Sequence, residues 1–116
     1  MLPKNYRLRR SSDFSRAYHK GHSISDRLLV LCYIPNALGR SRFGISVSKR
    51  IGRAVVRNRV KRRISEAIRL QLDLIAPGWD IIFIARQGTR DADYWQIESS
   101  IAGLLSRAGL YVSTKE

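Results

Sequence analysis

Apolar residues along this chain recur with two periods, and each change of period marks an element. Leu28 to Ile34 is apolar at every position, which suits a strand covered on both faces. Pro35, Asn36 and Gly39 supply the turn after it. Phe43, Ile45 and Val47 then alternate with Gly44, Ser46 and Ser48, the mark of a strand with one buried face and one small polar face. Trp79 to Ala85 is a second strongly apolar strand. Between these lie helical stretches. Ser11 or Ser12 caps a short helix with Phe14, Ala17 and Tyr18 at i, i+3, i+4, stopped by Gly21. A long helix is predicted from near Ala54 to about Ile75, before Pro77 and Gly78. On it Val56, Val60, Ile64, Ala67, Ile68 and Leu72 share one arc, Arg57 and Lys61 flank that arc, and Asn58, Arg59, Arg62, Ser65 and Arg69 take the far side. Asp93 caps a last helix with Gln96 at its third position, and Ile97, Ile101, Leu104, Leu105 and Ala108 form its core stripe before Gly109.

The order of helix, strands, helix, strand, helix gives an α+β sandwich. At 116 residues the chain supports one core, so 1–116 reads as a single domain. Residues 1–10, basic and containing Pro3, form an extended arm, and 110–116 form a tail.

Charge sharpens the picture because it is unevenly placed. Of the net +13, residues 1 to 69 contribute +15, with 18 Lys or Arg against three acids (Asp13, Asp26, Glu66), and the remainder is −2. Eight of the fifteen positions from Lys49 to Arg63 are basic and none is acidic. Like charges one helical turn apart repel, so the segment is built for a polyanion, most simply nucleic acid. Membrane attachment fits less well: the apolar stripe is modest and suited to a protein core, and the longest apolar run is far short of the ~18 residues of a span. Charges interrupt the first thirty residues before any signal-peptide core could form. Cys32, the single cysteine, reads as a small buried strand residue of a cytoplasmic protein.

Basic residues most often decorate a solvated face. Two details argue for more: Arg57-Asn58-Arg59 sets a donor–acceptor amide between two phosphate-binding forks, and Gly52 allows backbone to approach a polyanion. Phe14 and Tyr18, one turn apart among Arg7, Arg9, Arg10 and Arg16, are ordinary core candidates. Core is the commoner role for such rings, yet rings interleaved with cations also suit stacking of unpaired bases. Catalytic chemistry is poorly supplied. His19 and His22 lack further zinc ligands, Asp91 and Asp93 are explained by helix capping, and no nucleophile triad, phosphate-cradling loop or carboxylate cluster is present. The expectation is no catalytic residue and no metal ligand in this chain.

Three blocks together resemble the protein subunit of bacterial ribonuclease P: Asp13-Phe14 through Gly21; Phe43 to Arg62, with its Arg57-Asn58-Arg59 signature; and Asp80 to Arg86. The resemblance spans about Arg7 to Ala108. It implies a two-layer fold like the second domain of ribosomal protein S5, with a four-stranded sheet, three helices and a left-handed βαβ crossover through the basic helix, where general rules favour a right-handed one. It implies an endoribonuclease whose partner RNA, with Mg²⁺ bound mainly by RNA, removes the 5′ leader of precursor tRNA, the chain alone being inactive. Carried over by motif, Arg53, Arg57, Asn58, Arg59, Lys61, Arg62 and Arg63 would face the catalytic RNA. Arg7, Phe14, Tyr18, Ser46, Ser48, Lys49 and Arg86 would line or border the leader cleft. Many relatives carry tyrosine where this chain has Cys32, and Tyr33 points to the opposite face by alternation, so one stacking ring is expected to be missing. The implied partners are the catalytic RNA and precursor tRNA, with no membrane and no other protein. The alternative is a ribosomal or RNA-chaperone protein.

Overall fold

The two most strongly apolar stretches become the two inner strands of a four-stranded sheet, because only inner strands are covered on both faces. In the computed structural model, which describes residues 2–112, the strands are β1 (His22–Ser25), β2 (Leu29–Pro35), β3 (Arg42–Ser46) and β4 (Trp79–Ala85), in the spatial order β1-β2-β4-β3. β2 runs antiparallel to β1 and β4, whereas β3 lies parallel to β4. The parallel pair is joined through the long helix α2 (Ala54–Arg69), and α1 (Ser11–Lys20) and α3 (Tyr94–Ala108) complete the three helices of an α+β fold.

Alternation sorts the sheet into two faces. Leu29, Leu31, Phe43, Ile81 and Phe83 pack with Val60, Ile64, Ile68, Ile97, Ile101, Leu104 and Leu105, so α2 and α3 form a layer on one side. Cys32, Ile34 and Ile82 pack with Leu8, Ala17 and Phe14 on the other side, beneath α1. α1 covers only part of that second face: Val30, Ile84 and Ser46 remain half-buried and Ser23 and Ser25 are exposed. Among the described residues no helix is long and apolar enough to cross a membrane.

Several expectations are corrected. β1 was not predicted, since in His22-Ser23-Ile24-Ser25 only Ile24 is apolar; it is a short outer strand held by its ladder to β2. α1 has Arg10 rather than a serine at its N-cap, with no side-chain cap bond. Gly21 does end α1, but with extended backbone. Glycine is needed there because an added Cβ would lie 2.6 Å from the carbonyl oxygens of Ala17 and Tyr33. α2 stops at Arg69, short of Ile75. Ile75 is extended and bridges antiparallel to Tyr111, Ala76 N–H donates to Leu110 O and Val112 N–H to Leu74 O. Leu72–Leu74 still turn, as a 3-10 helix, and the long-range pairing then requires extended backbone at Ile75, which ends the helical pattern there. The basic arm is not free: a 3-10 turn (Lys4–Tyr6) folds it, Leu2 and Leu8 are buried, and Leu8 N–H donates to Phe43 O along the outer edge of β3. In the expected tail, Leu110 is buried, and residues 113–116 lie outside the described residues. β4 and the final helix match their predicted bounds, including the Asp93–Gln96 capping box and left-handed Gly109.

Candidate nucleic-acid interface

The geometry of the basic helix is set just ahead of it. After β3, Ser48 accepts a hydrogen bond from Arg50 N–H and caps a 3-10 turn (Lys49–Ile51), and Ile51 plugs into the core. Gly52 then takes φ +154°, a conformation side-chain-bearing residues avoid, and an added Cβ would crowd Val56 at 3.1 Å. Arg53 follows as the N-cap.

From that start, Asn58, Lys61 and Arg62 face solvent along with Arg53. Arg59, expected on the far side, is instead half-buried against the 3-10 turn Gln87–Arg90, where its Nη2 donates to Arg90 O at 3.2 Å. Arg63 Nη1 donates to Ala92 O at 2.6 Å and Arg57 Nε to Gly52 O at 3.2 Å. Each guanidinium has five N–H donors, so one carbonyl fixes its plane and leaves others for a ligand. Arg59 Nε is buried without a partner, which typically costs on the order of 1–3 kcal/mol. Three arginines of this helix are therefore held in place before any anion arrives, and less side-chain entropy is lost on binding.

On the opposite face of the sheet, Phe14 lies over Gly44, so close that a Cβ there would come within 2.6 Å of the ring. Its partner Tyr18 stands edge-on at 6.2 Å between centroids and is 44% exposed. The two rings share an open hollow of about 430 Å³ with Arg9, Ser11 and Ser15. Partial burial pushes the Tyr18 phenol above its usual range, the hydrogen-bonding Ser46 hydroxyl pulls it back, and nearby Cys32 adds to the rise. Because β3 and β4 are parallel, Ser48 and Lys49 after one and Arg86 after the other emerge at the same end of the sheet. Arg86 Nη1 donates to Asp26 O at 2.8 Å. Cys32 is buried on this face, and Tyr33 packs into the core on the other.

Arg7 stands apart from the rings' group: its Nε is committed to Leu2 O at 2.7 Å, holding the folded arm. Arg16, counted among the cations around the rings, donates to Pro35 O at 2.8 Å and approaches Asp80 at 3.6 Å. Asp80 is fully buried and accepts from Arg42 Nε and Nη2 (2.9 and 2.8 Å) and from Asn36 Nδ2 (2.8 Å), while Arg42 also reaches Asp13 at 3.4 Å. The Asp80 hydrogen bond is the main reason the Arg42 guanidinium is held above its usual range. This network clamps α1 to the sheet and so sets the ring groove. Its signal in the sequence was a single carboxylate at the head of an otherwise apolar strand, which sequence reasoning did not use. Also missed was Val55, 70% exposed and one turn before Asn58 and Arg59. Arg9 was counted among the surrounding cations and proves to line the ring hollow.

Among the described residues no three of His, Cys, Asp and Glu come together where they could hold a metal ion. Asp93 is engaged by the backbone of Gln96.

The family model described as Ribonuclease P matches residues 2–109. The ribonuclease P protein component of Clostridium botulinum strain Langeland is 46% identical over 109 residues, covering 93% of this chain and 98% of the relative. That of Clostridium novyi is 47% identical over 112 residues, covering 95% and 99%. Among solved structures, the RNase P protein of Staphylococcus aureus superposes with a TM-score of 0.86 at 40% identity, covering 92% of this chain and 98% of that one. The RNase P protein of Thermotoga maritima gives 0.81 at 31%, covering 87% and 96%. With a basic helix on one face of the sheet and a ring-lined hollow on the other, and with sequence and fold alike over nine tenths of the chain, this protein belongs to the ribonuclease P protein family.

Proposed function

We propose that the chain is the protein subunit of a ribonuclease P particle, binding its catalytic RNA through α2 and the 5′ leader of precursor tRNA through the groove between α1 and the sheet. The observation that carries this reading is the division of labour between the faces. One presents Arg53, Arg57, Asn58, Arg59, Lys61, Arg62 and Arg63, three of them pre-set on carbonyls; the other presents two rings above small residues, with Lys49 and Arg86 at the groove's end. Guanidinium planes suit phosphates of a folded RNA, and exposed rings suit bases of an unpaired strand.

Two RNAs repel each other, and a strongly basic wedge between them lowers that cost. The chain's contribution is binding and orientation: α2 fixes the protein on one RNA while Phe14 and Tyr18 hold the strand leading to the scissile phosphodiester. Hydrolysis of that bond is assigned to the RNA, which would also hold the Mg²⁺ the reaction uses. Arg7 acts through the arm rather than by touching the leader. The ribosomal or chaperone alternative is not favoured by the family match.

The test is a titration of the assembled particle with precursor tRNA and with mature tRNA. The precursor is expected to bind several-fold tighter or better, since each stacked base contributes ~1–3 kcal/mol. Equal affinities would refute leader binding.

A further inference from the structure

The first turn of α3 carries an aromatic side chain that the fold leaves unused. Trp95 is 73% exposed, while Ile97 and Ile101 of the same helix supply its core contacts. The indole stands edge-on to Tyr94, with centroids 5.1 Å apart and planes at 78°. Tyr94 in turn walls a hollow of about 360 Å³ whose other sides are Arg59, Arg62, Arg63 and Glu66. The Glu66 carboxylate is engaged bidentately by Arg69 at 3.0 and 2.6 Å, so three guanidiniums dominate the hollow.

Local charge decides what could span from this hollow to the indole. Asp91, Asp93 and Glu98 lie near Trp95 along the chain against one cation, Arg90, so a phosphate is held better by the three guanidiniums of α2 than beside the indole. An uncharged flat group attached to that phosphate is free to turn toward α3. A nucleobase meets this description, and base stacking on an exposed ring tolerates any base.

We propose that Trp95, braced by Tyr94, stacks an unpaired nucleobase of the catalytic RNA whose phosphates lie on Arg59, Arg62 and Arg63, extending the RNA interface from α2 onto α3. This rests on the reading that α2 binds that RNA. It adds a contact reporting single-stranded structure beside cations that report only charge.

The experiment uses the full chain with two probes, a transcribed bacterial ribonuclease P RNA and a blunt A-form duplex without unpaired bases. Trp95→Ala is expected to weaken binding of the structured RNA roughly 5- to 100-fold. It should leave the duplex and the salt dependence of both unchanged, because no phosphate contact is lost. Trp95→Phe should keep most of the affinity. The difference in emission between the unsubstituted chain and Trp95→Phe isolates the Trp95 indole from Trp79, and that component should fall as the structured RNA saturates. Binding of the structured RNA by Trp95→Ala within twofold of the unsubstituted chain, or equal losses on both probes, would overturn the inference while leaving the α2 reading intact. Failure of the unsubstituted chain to bind the structured RNA would overturn both.

Discussion

Gly44 shows how one missing side chain shapes a surface. In a strand glycine ordinarily weakens packing, yet here its bare Cα is the seat of the Phe14 ring, with 2.6 Å available where a Cβ would stand. Gly44→Ala is therefore expected to leave the sheet formed and to push Phe14 off its seat, narrowing the affinity gap between precursor and mature tRNA about fivefold or more if one stacked base is lost. The two-substrate titration reads this directly, and an unchanged gap would remove Phe14 from the leader site. Cys32 beneath the same groove was legible as a buried thiol, and burial pushes it above the ordinary thiol range. Arg59 and Arg16 were not legible at this scale. Their side chains end on the carbonyls of Arg90 and Pro35, and no local pattern shows which distant backbone a long flexible side chain will find.

Among elements, legibility followed how local the determinants were. The final helix carries its own start, stripe and stop, and its capping box forms as read. Replacing Asp93 by alanine removes the bond from Gln96 N–H and should cost about 1 kcal/mol of stability, measurable as a lowered urea midpoint at constant slope. A shift below a few tenths would mean that α3 is held by packing alone. α1 kept its expected ring spacing but not its serine cap. β1 and the extended stretch beyond α2 escaped the sequence because both depend on partners far away: β1 on the ladder to β2, and residues 74–76 on the strand-like segment Leu110–Val112. Periodicity reports which face a residue shows, and it is blind to a competing backbone partner.

For the whole molecule, the family fold and both candidate surfaces could be read in outline. The motif block fixed the order β3–α2–β4, and the ring spacing of α1 did the rest. What stayed hidden was the support, namely the Asp80–Arg42 clamp and the carbonyls behind the arginines. Four acid protons are held by burial above their ordinary ranges, those of Tyr18, Cys32, Tyr94 and Tyr111, with Glu98 adding to the last two. The unfolded chain releases these protons first, so above the ordinary thiol and phenol values of 9.0 and 10.0 it binds fewer protons than the folded one, and stability falls as pH rises. The contribution is fully present below pH 9. Denaturant midpoints are expected to hold between neutral pH and 9 and to decline from there upward; a rise with alkalinity would contradict the burial of these groups.

The arm laid along β3 has a bearing on solubility. β3 is a sheet margin, and margins with free amides and carbonyls recruit strands from other molecules. Residues Arg7 and Leu8 occupy part of that margin through their bridge to Phe43. A chain shortened to begin at Arg9 would bare it, and light scattering on concentration would then reveal self-association that the intact polypeptide resists.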